Sequence, residues 1–348
     1  QNLLGLVGLG RHHNLQCFLA VATAILTTLT LTAVLASNAD RAPFYARDNC
    51  KEALQVVMSA KPDQTEEILQ KLAASSDLED KACAVWLHMP LNEIEMSLEG
   101  NGKGLPERRE KRLKRLFKFS KVFGKRRPHF AMLELEARMR RVRLLIQQGE
   151  RVNSLTEARR VERMLDRLGN RTNPTVDYVT GLTRLAISQA SFPLRVLLGM
   201  AGVSGDEKLG RSLLEKLAAG DTVYAGDAIY ILHHFAHQNK DTPRSLKYGE
   251  MLIAKFPNNP QFAYEYANAL YRAKKYDDVF RVTAKFNDRL KEEPAAWTAR
   301  IRKKLYFINA KSLYEVGKKD EAKRLAMLAA EQKYGGLVPE TNALLQKL

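Results

Sequence analysis

Glycine, proline and strand-like alternation are all scarce in this sequence. It contains 20 glycines and 12 prolines in 348 residues, and no stretch alternates apolar and polar residues convincingly over the length of a strand. Apolar residues recur instead at the spacing that places them on one face of a helix. Hydrophobic residues make up 45% of the chain, which is enough for a sizeable core. The sequence therefore predicts an all-α protein.

The motifs of common enzyme classes are also missing. There is no glycine-rich phosphate loop, no nucleophile elbow and no kinase-like set of residues. The paired acids Asp277 and Asp278 stand at a predicted helix start, and Glu292 and Glu293 precede a proline turn. Capping and solvation account for such pairs without catalysis. We therefore predict no catalytic residues, no cofactor and no small-molecule substrate; the alternative is an enzyme with an unrecognised helical active site.

One histidine cluster invites comparison with metal sites. His233 and His237 are four residues apart, a spacing that puts two imidazoles on one face of a helix. No third protein ligand is evident, and the glutamate that lies between the histidines of zinc peptidases is absent. His233 also falls at a packed position of a repeat helix. We therefore interpret these residues, with His234 between them, as structural histidines and predict no metal.

Cysteine is rare as well, with three residues in the whole chain. Cys17 lies inside an apolar N-terminal segment, while Cys50 and Cys83 lie on predicted helices. No Cys-x-x-Cys or Cys/His ligand cluster occurs. Cys50 and Cys83 could pair in an oxidising compartment, but separate buried thiols are the favoured interpretation, because free cysteine is among the most buried residue types.

The N-terminal segment contains the longest apolar run. Residues 15–36 carry no charge, Arg11 is the only formal charge before them, and small residues follow at positions 36–39. This pattern is typical of a secretory signal, and its 22 residues are close to the length that spans a bilayer. We predict that residues 1–39 are a signal peptide or a signal anchor whose C-terminal side is translocated. The protein is then exported or membrane-anchored, in the periplasm or cell envelope if it is bacterial.

The formal charge of +17 is unevenly distributed. Residues 1–102 contain 7 Lys/Arg and 12 Asp/Glu, residues 103–171 contain 22 and 8, and residues 172–348 contain 27 and 19. A glycine-rich break at residues 100–104 separates the acidic part from the basic one. We therefore divide the rest of the chain into an N-terminal helical segment at 40–102, a basic helical segment at 103–171 and a repeat region at 172–348. The concentrated charge indicates a local electrostatic surface.

The basic segment opens with an amphipathic helix. Residues 107–127 contain 11 Lys/Arg against 2 Asp/Glu, and Leu113, Leu116, Phe117 and Phe123 lie toward one side. Such a helix suits an anionic membrane surface or an acidic groove on a protein partner. The alternative is that the apolar stripe packs on the rest of the protein while the cations are solvated; nucleic acid is disfavoured because no recognised binding module is present. The candidate contact residues are Arg108, Arg109, Lys111, Arg112, Lys114, Arg115, Lys118, Lys121, Lys125, Arg126 and Arg127.

The C-terminal half contains a repeat with the small-then-aromatic spacing of tetratricopeptide helix pairs. Two copies are offset by 34 residues, and a third follows with a longer first helix at residues 294–316. Small residues let paired helices approach closely and tyrosines fill the gaps between neighbouring pairs. We predict three stacked antiparallel pairs at residues 226–334, and an α-solenoid fold for the repeat region. The small residues are Ala267, Ala310 and Ala322, and the tyrosines are Tyr271, Tyr276 and Tyr314.

A more specific pattern precedes these repeats. It consists of Gly181, Leu182, Leu185, Ala186, Ile187, Ser188, Phe192, Pro193, Leu194, Leu197, Leu198, residues 201–207, Gly210 and Leu214. This pattern resembles the central signature of the tetratricopeptide repeat protein 39 family, which includes the fungal inclusion-body clearance proteins. The resemblance covers residues 128–334, with Val203 and Glu207 in place of the family's aromatic residue and arginine. It implies a helical-repeat scaffold with no known catalytic residues.

These observations predict a non-catalytic helical-repeat adaptor that binds protein partners at a membrane or in the cell envelope. Its basic amphipathic helix would contact anionic lipid or an acidic partner. The alternative location is the cytoplasm, where the protein would be an intracellular scaffold like the members of the resembled family.

Overall fold

The computed structural model describes residues 42–59, 61–99, 104–125, 127–169, 173–189, 195, 198–199, 202–292, 295–331 and 338–348. The apolar run at 15–36 and Arg126 lie outside them. Contacts divide the chain into Gln1–Pro43 and Phe44–Leu348, and every helix below belongs to the second unit. None of the helices in the described ranges combines the length and the hydropathy needed to cross a bilayer.

The prediction of an all-α protein is confirmed, because the described residues form helices and no strand. A short 3-10 turn at Phe44–Ala46 precedes fifteen α-helices in this part of the chain. They are α1 (Asp48–Met58), α2 (Pro62–Ala74), α3 (Leu78–Glu99), α4 (Leu105–Phe123), α5 (Pro128–Gln147), α6 (Arg151–Leu168), α7 (Pro174–Ser188), α8 (Glu207–Ala219), α9 (Tyr224–Gln238), α10 (Thr242–Lys255), α11 (Pro260–Arg272), α12 (Tyr276–Glu292), α13 (Ala295–Glu315), α14 (Lys319–Glu331) and α15 (Val338–Lys347).

Local sequence signals explain several helix starts. The side chains of Asn173, Asp206, Asp241 and Asn259 each accept a hydrogen bond from a backbone N–H in the first turn of α7, α8, α10 and α11. Such caps satisfy donors that have no partner within the helix. The sequence predicts a cap at Asp206, which the structure confirms. It also predicts a helix start at Ser154, where Glu157 completes the spacing of a capping box, and an interruption at Pro90. Both of these expectations are wrong, because α6 begins three residues before Ser154, which is buried, and α3 continues through Pro90.

Helices from α7 onward pack as consecutive pairs. The pairs are α7 with α8, α9 with α10, α11 with α12, and α13 with α14, and the second helix of each pair also packs on the first helix of the next. Three of these pairs lie where the sequence predicts them, at residues 226–334. Close packing depends on small residues: Ala267, Ala310 and Ala322 are fully buried, and a side chain at Gly210 would lie 2.8 Å from the carbonyl oxygen of Gly181.

Helix α3 packs against the first helices of the last two pairs. It contacts α11 and α13, and its Trp86 side chain reaches Glu136 of α5 and the ring of Tyr224 on α9. One continuous apolar core runs from Phe44 to Leu305. The N-terminal helices therefore share a core with the repeats.

Cys50 of α1 and Cys83 of α3 form a disulfide bond, with their Cα atoms 5.9 Å apart. Both residues are buried. The favoured sequence interpretation, two separate buried thiols, was therefore wrong. Burial alone is compatible with both states, and only the packing of α1 on α3 brings the two sulfur atoms together.

Candidate interaction surface

The apolar stripe predicted on the basic helix faces the protein core. Helix α4 packs between α3 and α5. Leu113 and Leu116 are buried, and the Phe119 ring lies 4.7 Å from the Phe123 ring and 5.3 Å from the Phe130 ring of α5. These side chains are already covered by protein. A partner of α4 is therefore left with the opposite, charged face of the helix.

Three of the eleven candidate cations form ion pairs inside the protein. Arg112 donates to Glu95 at 2.6 and 2.9 Å and to Asn92 at 2.7 Å, which joins α4 to α3. Arg109 lies 3.7 Å from Glu93. The other inward-facing candidate is Arg127, which donates to the fully buried carboxylate of Glu79. These three arginines stabilise the packing of neighbouring helices and are not free for an external partner.

Seven candidates remain at the surface, and Arg126 lies outside the described residues. Their three- and four-residue spacing places most of them along one side of α4. Within this set the Arg108 guanidinium is 4.0 Å from the Glu95 carboxylate, and Lys114 is 3.9 Å from Glu110. Val122, half-exposed at 52%, lies among the cations of the last turn. The seven are Arg108, Lys111, Lys114, Arg115, Lys118, Lys121 and Lys125.

Helix α6 supplies further surface cations that the sequence reasoning did not select. Arg159, Arg163 and Arg167 are exposed, and their four-residue spacing puts them on one face. The opposite face buries Val161 and also Glu162, which accepts hydrogen bonds from Arg184 of α7 at 2.6 and 3.0 Å. The spacing of the three arginines was the available signal in the sequence.

Helices α4 and α6 flank α5, and Arg138 of α5 shows their register. Its guanidinium lies 5.4 Å from the ring centre of Phe117 on α4 and donates to Glu157 of α6 at 2.7 Å. Short connections make α4 and α6 both antiparallel to α5. At 1.5 Å per residue, α6 extends about 15 Å beyond Glu157 to Arg167. The C-terminal ends of α4 and α6 therefore lie at the same end of the helix array as the start of α5.

The first residues of the helical unit lie at that same end. The backbone N–H of Phe44 donates to Glu79 at 2.8 Å, and His129 at the start of α5 contacts the same carboxylate at 2.9 Å. The carbonyl oxygen of Tyr45 accepts from the N–H of Val223 at 3.0 Å. Phe44 is therefore held rigidly beside the N-terminus of α5. We call the exposed cations Lys121, Lys125, Arg163 and Arg167 at this end the basic edge.

A buried polar network ties α3 to the helices around it. The carboxylate of Glu136, which is fully buried, accepts from Trp86 Nε1 at 2.9 Å, from the Tyr224 hydroxyl at 2.8 Å and from Arg140 at 2.8 Å. Arg140 also donates to Asp227 at 2.9 Å. Burial and then the charge of Glu136 raise the pKa of Tyr224 well above its ordinary value, so its hydroxyl stays protonated and donates.

The histidine cluster lies inside the repeats. His233 is 1% exposed, and its Nδ1 lies 2.9 Å from the carbonyl oxygen of Ser245. Since a carbonyl only accepts, Nδ1 carries the proton. Its Nε2 has no hydrogen-bond partner and lies 4.0 Å from Glu265. Burial lowers the pKa of His233 to about 4. In the part of the chain that is described, no three acidic, histidine or cysteine side chains are grouped to hold a metal ion.

A surface cleft of about 310 Å³ opens between α8, α9 and α10. Its apolar floor includes Leu232 and Phe235. At its rim Arg211 pairs with Glu207 of the same helix, and Arg244 donates to Asp241 at 3.0 Å. The described lining contains no serine, cysteine, histidine or lysine. The cleft thus presents self-paired charges over an apolar floor.

Comparison with known proteins finds no match: no family model, no curated protein and no solved structure is similar to this chain. The resemblance to the tetratricopeptide repeat protein 39 family therefore stays a prediction from residues 128–334.

Proposed function

We propose that this protein is a non-catalytic helical-repeat scaffold at a membrane or in the cell envelope. The exposed face of α4 is its contact with an anionic lipid surface or an acidic protein partner. The observation that carries the proposal is the set of seven surface cations on α4 and the turn that follows it, from Arg108 to Lys125. Only two acidic residues, Glu107 and Glu110, occur in the same helix.

The division of charge within α4 supports this proposal. Arg109 and Arg112 face acids of α3, and these pairs fix the orientation of the helix. The remaining cations then lie on a rigid surface that needs no reorganisation to meet a partner. Because the apolar stripe is covered, the contact is electrostatic and weakens as salt shortens the Debye length.

The disulfide supports an exported location. Disulfides persist in oxidising compartments and are rare in the cytosol. The Cys50–Cys83 bond lies in the buried core between α1 and α3. Together with the uncharged run at residues 15–36, it favours a protein whose helical unit folds on the outer side of a membrane.

The test is binding to vesicles and to acidic protein with a matched pair of variants. The first carries Lys111→Glu, Lys114→Glu, Arg115→Glu and Lys118→Glu. The control reverses four exposed lysines of the repeats: Lys240→Glu, Lys275→Glu, Lys319→Glu and Lys323→Glu. Both change the net charge equally. Since each surface cation contributes about 1 kcal/mol near an anionic membrane, the α4 variant should bind roughly a thousandfold more weakly at low salt.

Measurements at low and at physiological salt separate the electrostatic contribution from any other. Vesicles of phosphatidylglycerol with phosphatidylcholine test the lipid surface, and capture from an extract of the source organism tests the acidic partner. Equal binding by the two variants in both assays would show that the exposed face of α4 is not a binding surface and would refute the proposal.

A further inference from the structure

Two separate helices contribute cations to one end of the molecule. Lys121 lies in the last turn of α4 and Lys125 two residues after the helix ends, and Arg163 and Arg167 lie in the last two turns of α6. A helix C-terminus favours a cation in its last turn, which accounts for one residue on each helix. It does not account for the exposed second cation on each, nor for their convergence on either side of α5. Asp166 is the exposed acid beside them on α6.

The chain joins the helical unit at the same end. Arg127, two residues after Lys125, shares the Glu79 carboxylate with the backbone N–H of Phe44. Phe44 is the first residue of the helical unit, so the unit begins at the end that contains the basic edge.

From these observations we infer that the basic edge is the surface that rests on an anionic bilayer, with the C-terminal ends of α4 and α6 directed toward it. The inference rests on the proposed function and deepens it, because it commits to lipid rather than an acidic protein and fixes an orientation. Val122, exposed between Lys121 and Lys125, is then the apolar side chain placed to enter the headgroup region.

A planar lipid surface fits this arrangement better than a protein groove does. The cations come from two helices with α5 between them, so they form a broad patch and not a single ridge. Phosphate headgroups are mobile and match a broad cationic patch without a specific shape.

The experiment places one fluorophore at either end of the α4–α6 layer. Full-length protein carrying Cys17→Ala is reconstituted in nanodiscs that contain a headgroup quencher. One version adds Val122→Cys at the basic edge, and the other adds Val152→Cys, at the far end of α6 and also exposed. The Cys50–Cys83 bond is buried and does not compete for the label. Nanodiscs of phosphatidylglycerol with phosphatidylcholine are compared with phosphatidylcholine alone.

We expect several-fold stronger quenching at position 122 than at position 152 in the anionic nanodiscs, and a smaller difference in the neutral ones or at high salt. Tethering alone would give the same quenching in both lipids. A variant with Lys121→Glu, Lys125→Glu, Arg163→Glu and Arg167→Glu should lose the effect, whereas the repeat-region variant with Lys240→Glu, Lys275→Glu, Lys319→Glu and Lys323→Glu should retain most of it.

Two outcomes would overturn the orientation while the proposed function stands. One is quenching at position 152 that equals or exceeds that at 122. The other is quenching at 122 that survives reversal of the four cations of the basic edge. If neither position responds to anionic lipid, the bilayer is not the partner, and only capture of an acidic protein by α4 would still support the proposed function.

Discussion

The N-terminal helices, from Phe44 to Leu168, and the repeats, from Pro174 to Glu331, are held together by different interactions. In the first region buried acids are paired with arginines: Glu79, Glu136 and Glu162 are all inside the protein and each accepts from an arginine. The second region packs through alanines, glycines and aromatic rings. The comparison shows that a basic sequence is not the same as a basic surface, because much of the positive charge at 103–171 neutralises interior acids.

Some buried hydroxyls of the repeats are satisfied within their own helix. Ser312 donates to the carbonyl oxygen of Ile308 at 2.9 Å, and Thr283 has the carbonyl oxygen of Val279 at 2.9 Å as one acceptor and Asn309 Oδ1 of α13 at 2.9 Å as a second. Bonds within one helix require no partner from elsewhere in the chain. The repeats should therefore tolerate loss of a polar side chain better than the N-terminal helices do.

The largest expected effect comes from breaking the network around Glu136. Glu136→Ala leaves the Arg140 charge without its nearest carboxylate and Trp86 and Tyr224 without an acceptor. Removing one partner of a buried ion pair costs about 3–5 kcal/mol. Urea unfolding measures this loss, with Glu67→Ala, at an exposed position of α2, as the control. If Glu136→Ala lowers the free energy of unfolding by less than the Glu67→Ala control does, the network does not hold α3 in place.

Removal of the disulfide should have the second-largest effect on the free energy of unfolding. In the chain-entropy account, closing a loop of 33 residues stabilises the folded protein by about 3–4 kcal/mol. Cys50→Ala with Cys83→Ala should lose this amount under oxidising conditions. Adding a reductant should bring the wild type down to the level of the double variant. If the two proteins unfold at the same urea concentration without reductant, the bond does not contribute to the first region.

The buried histidine of the repeats gives the third effect, which depends on pH. The pKa of His233 is lowered from 6.5 to about 4, first by burial, and His237, His234 and Arg272 lower it further. The unfolded chain therefore binds a proton between these values while the folded one does not. Stability is complete above pH 6.5 and falls as the pH drops toward 4, by up to about 3 kcal/mol.

His233→Asn should flatten this part of the stability curve. Chemical unfolding at pH 7.5, 6 and 5 would compare it with the wild type, and both should respond alike above pH 7. Burial raises the pKa of Glu265, which opposes the trend at the acid end, so the interval from pH 6.5 to 5 is the most informative. Equal slopes for the two proteins in that interval would mean that His233 is not neutral in the fold.

The two regions also differ in how much their sequences reveal. The packed positions of a repeat recur at regular spacing in the sequence, so the helix bounds can be predicted from that spacing. The predicted helix at residues 294–316 corresponds to α13 (Ala295–Glu315). The partner of a buried charge follows no spacing. Arg140 reaches Asp227, 87 residues away, and Arg112 reaches Glu95 across a turn. The sequence therefore selected eleven candidate cations between positions 108 and 127 and could not separate from them the three that face inward.

The same reasoning explains the other errors. Ser154 and Glu157 have the spacing of a capping box, but both are buried in α6, where Glu157 pairs with Arg138. The pairing of Cys50 with Cys83 depends on how α1 packs on α3, which no local pattern specifies. The contribution of α6 to the basic edge is evident only in the folded protein. There α5 packs between α4 and α6, and the C-terminal ends of α4 and α6 lie at the same end of the array.

The smallest of these effects tests the packing of the repeats directly. Ala267 of α11 is fully buried in a cluster with Leu270, Val279 and Ile308. Ala267→Leu inserts three further carbon atoms between helices that small residues hold close together. Overpacking of this kind costs about 1–3 kcal/mol, because neighbouring side chains leave their preferred rotamers or the helices separate.

The matched control for this substitution is Ala254→Leu, which makes the same chemical change at an exposed position of α10 in the preceding pair. Surface substitutions of this type stay within about 0.5 kcal/mol, so the difference between the two variants isolates burial from helix propensity. Thermal and urea unfolding should both rank Ala267→Leu below the control. If the two variants are equally stable, the packing of α11 against α12 accommodates a leucine side chain, and close helix packing at Ala267 does not stabilise the repeats. In that case the contrast with the charge-paired N-terminal helices would have to rest on the tyrosines between the pairs instead.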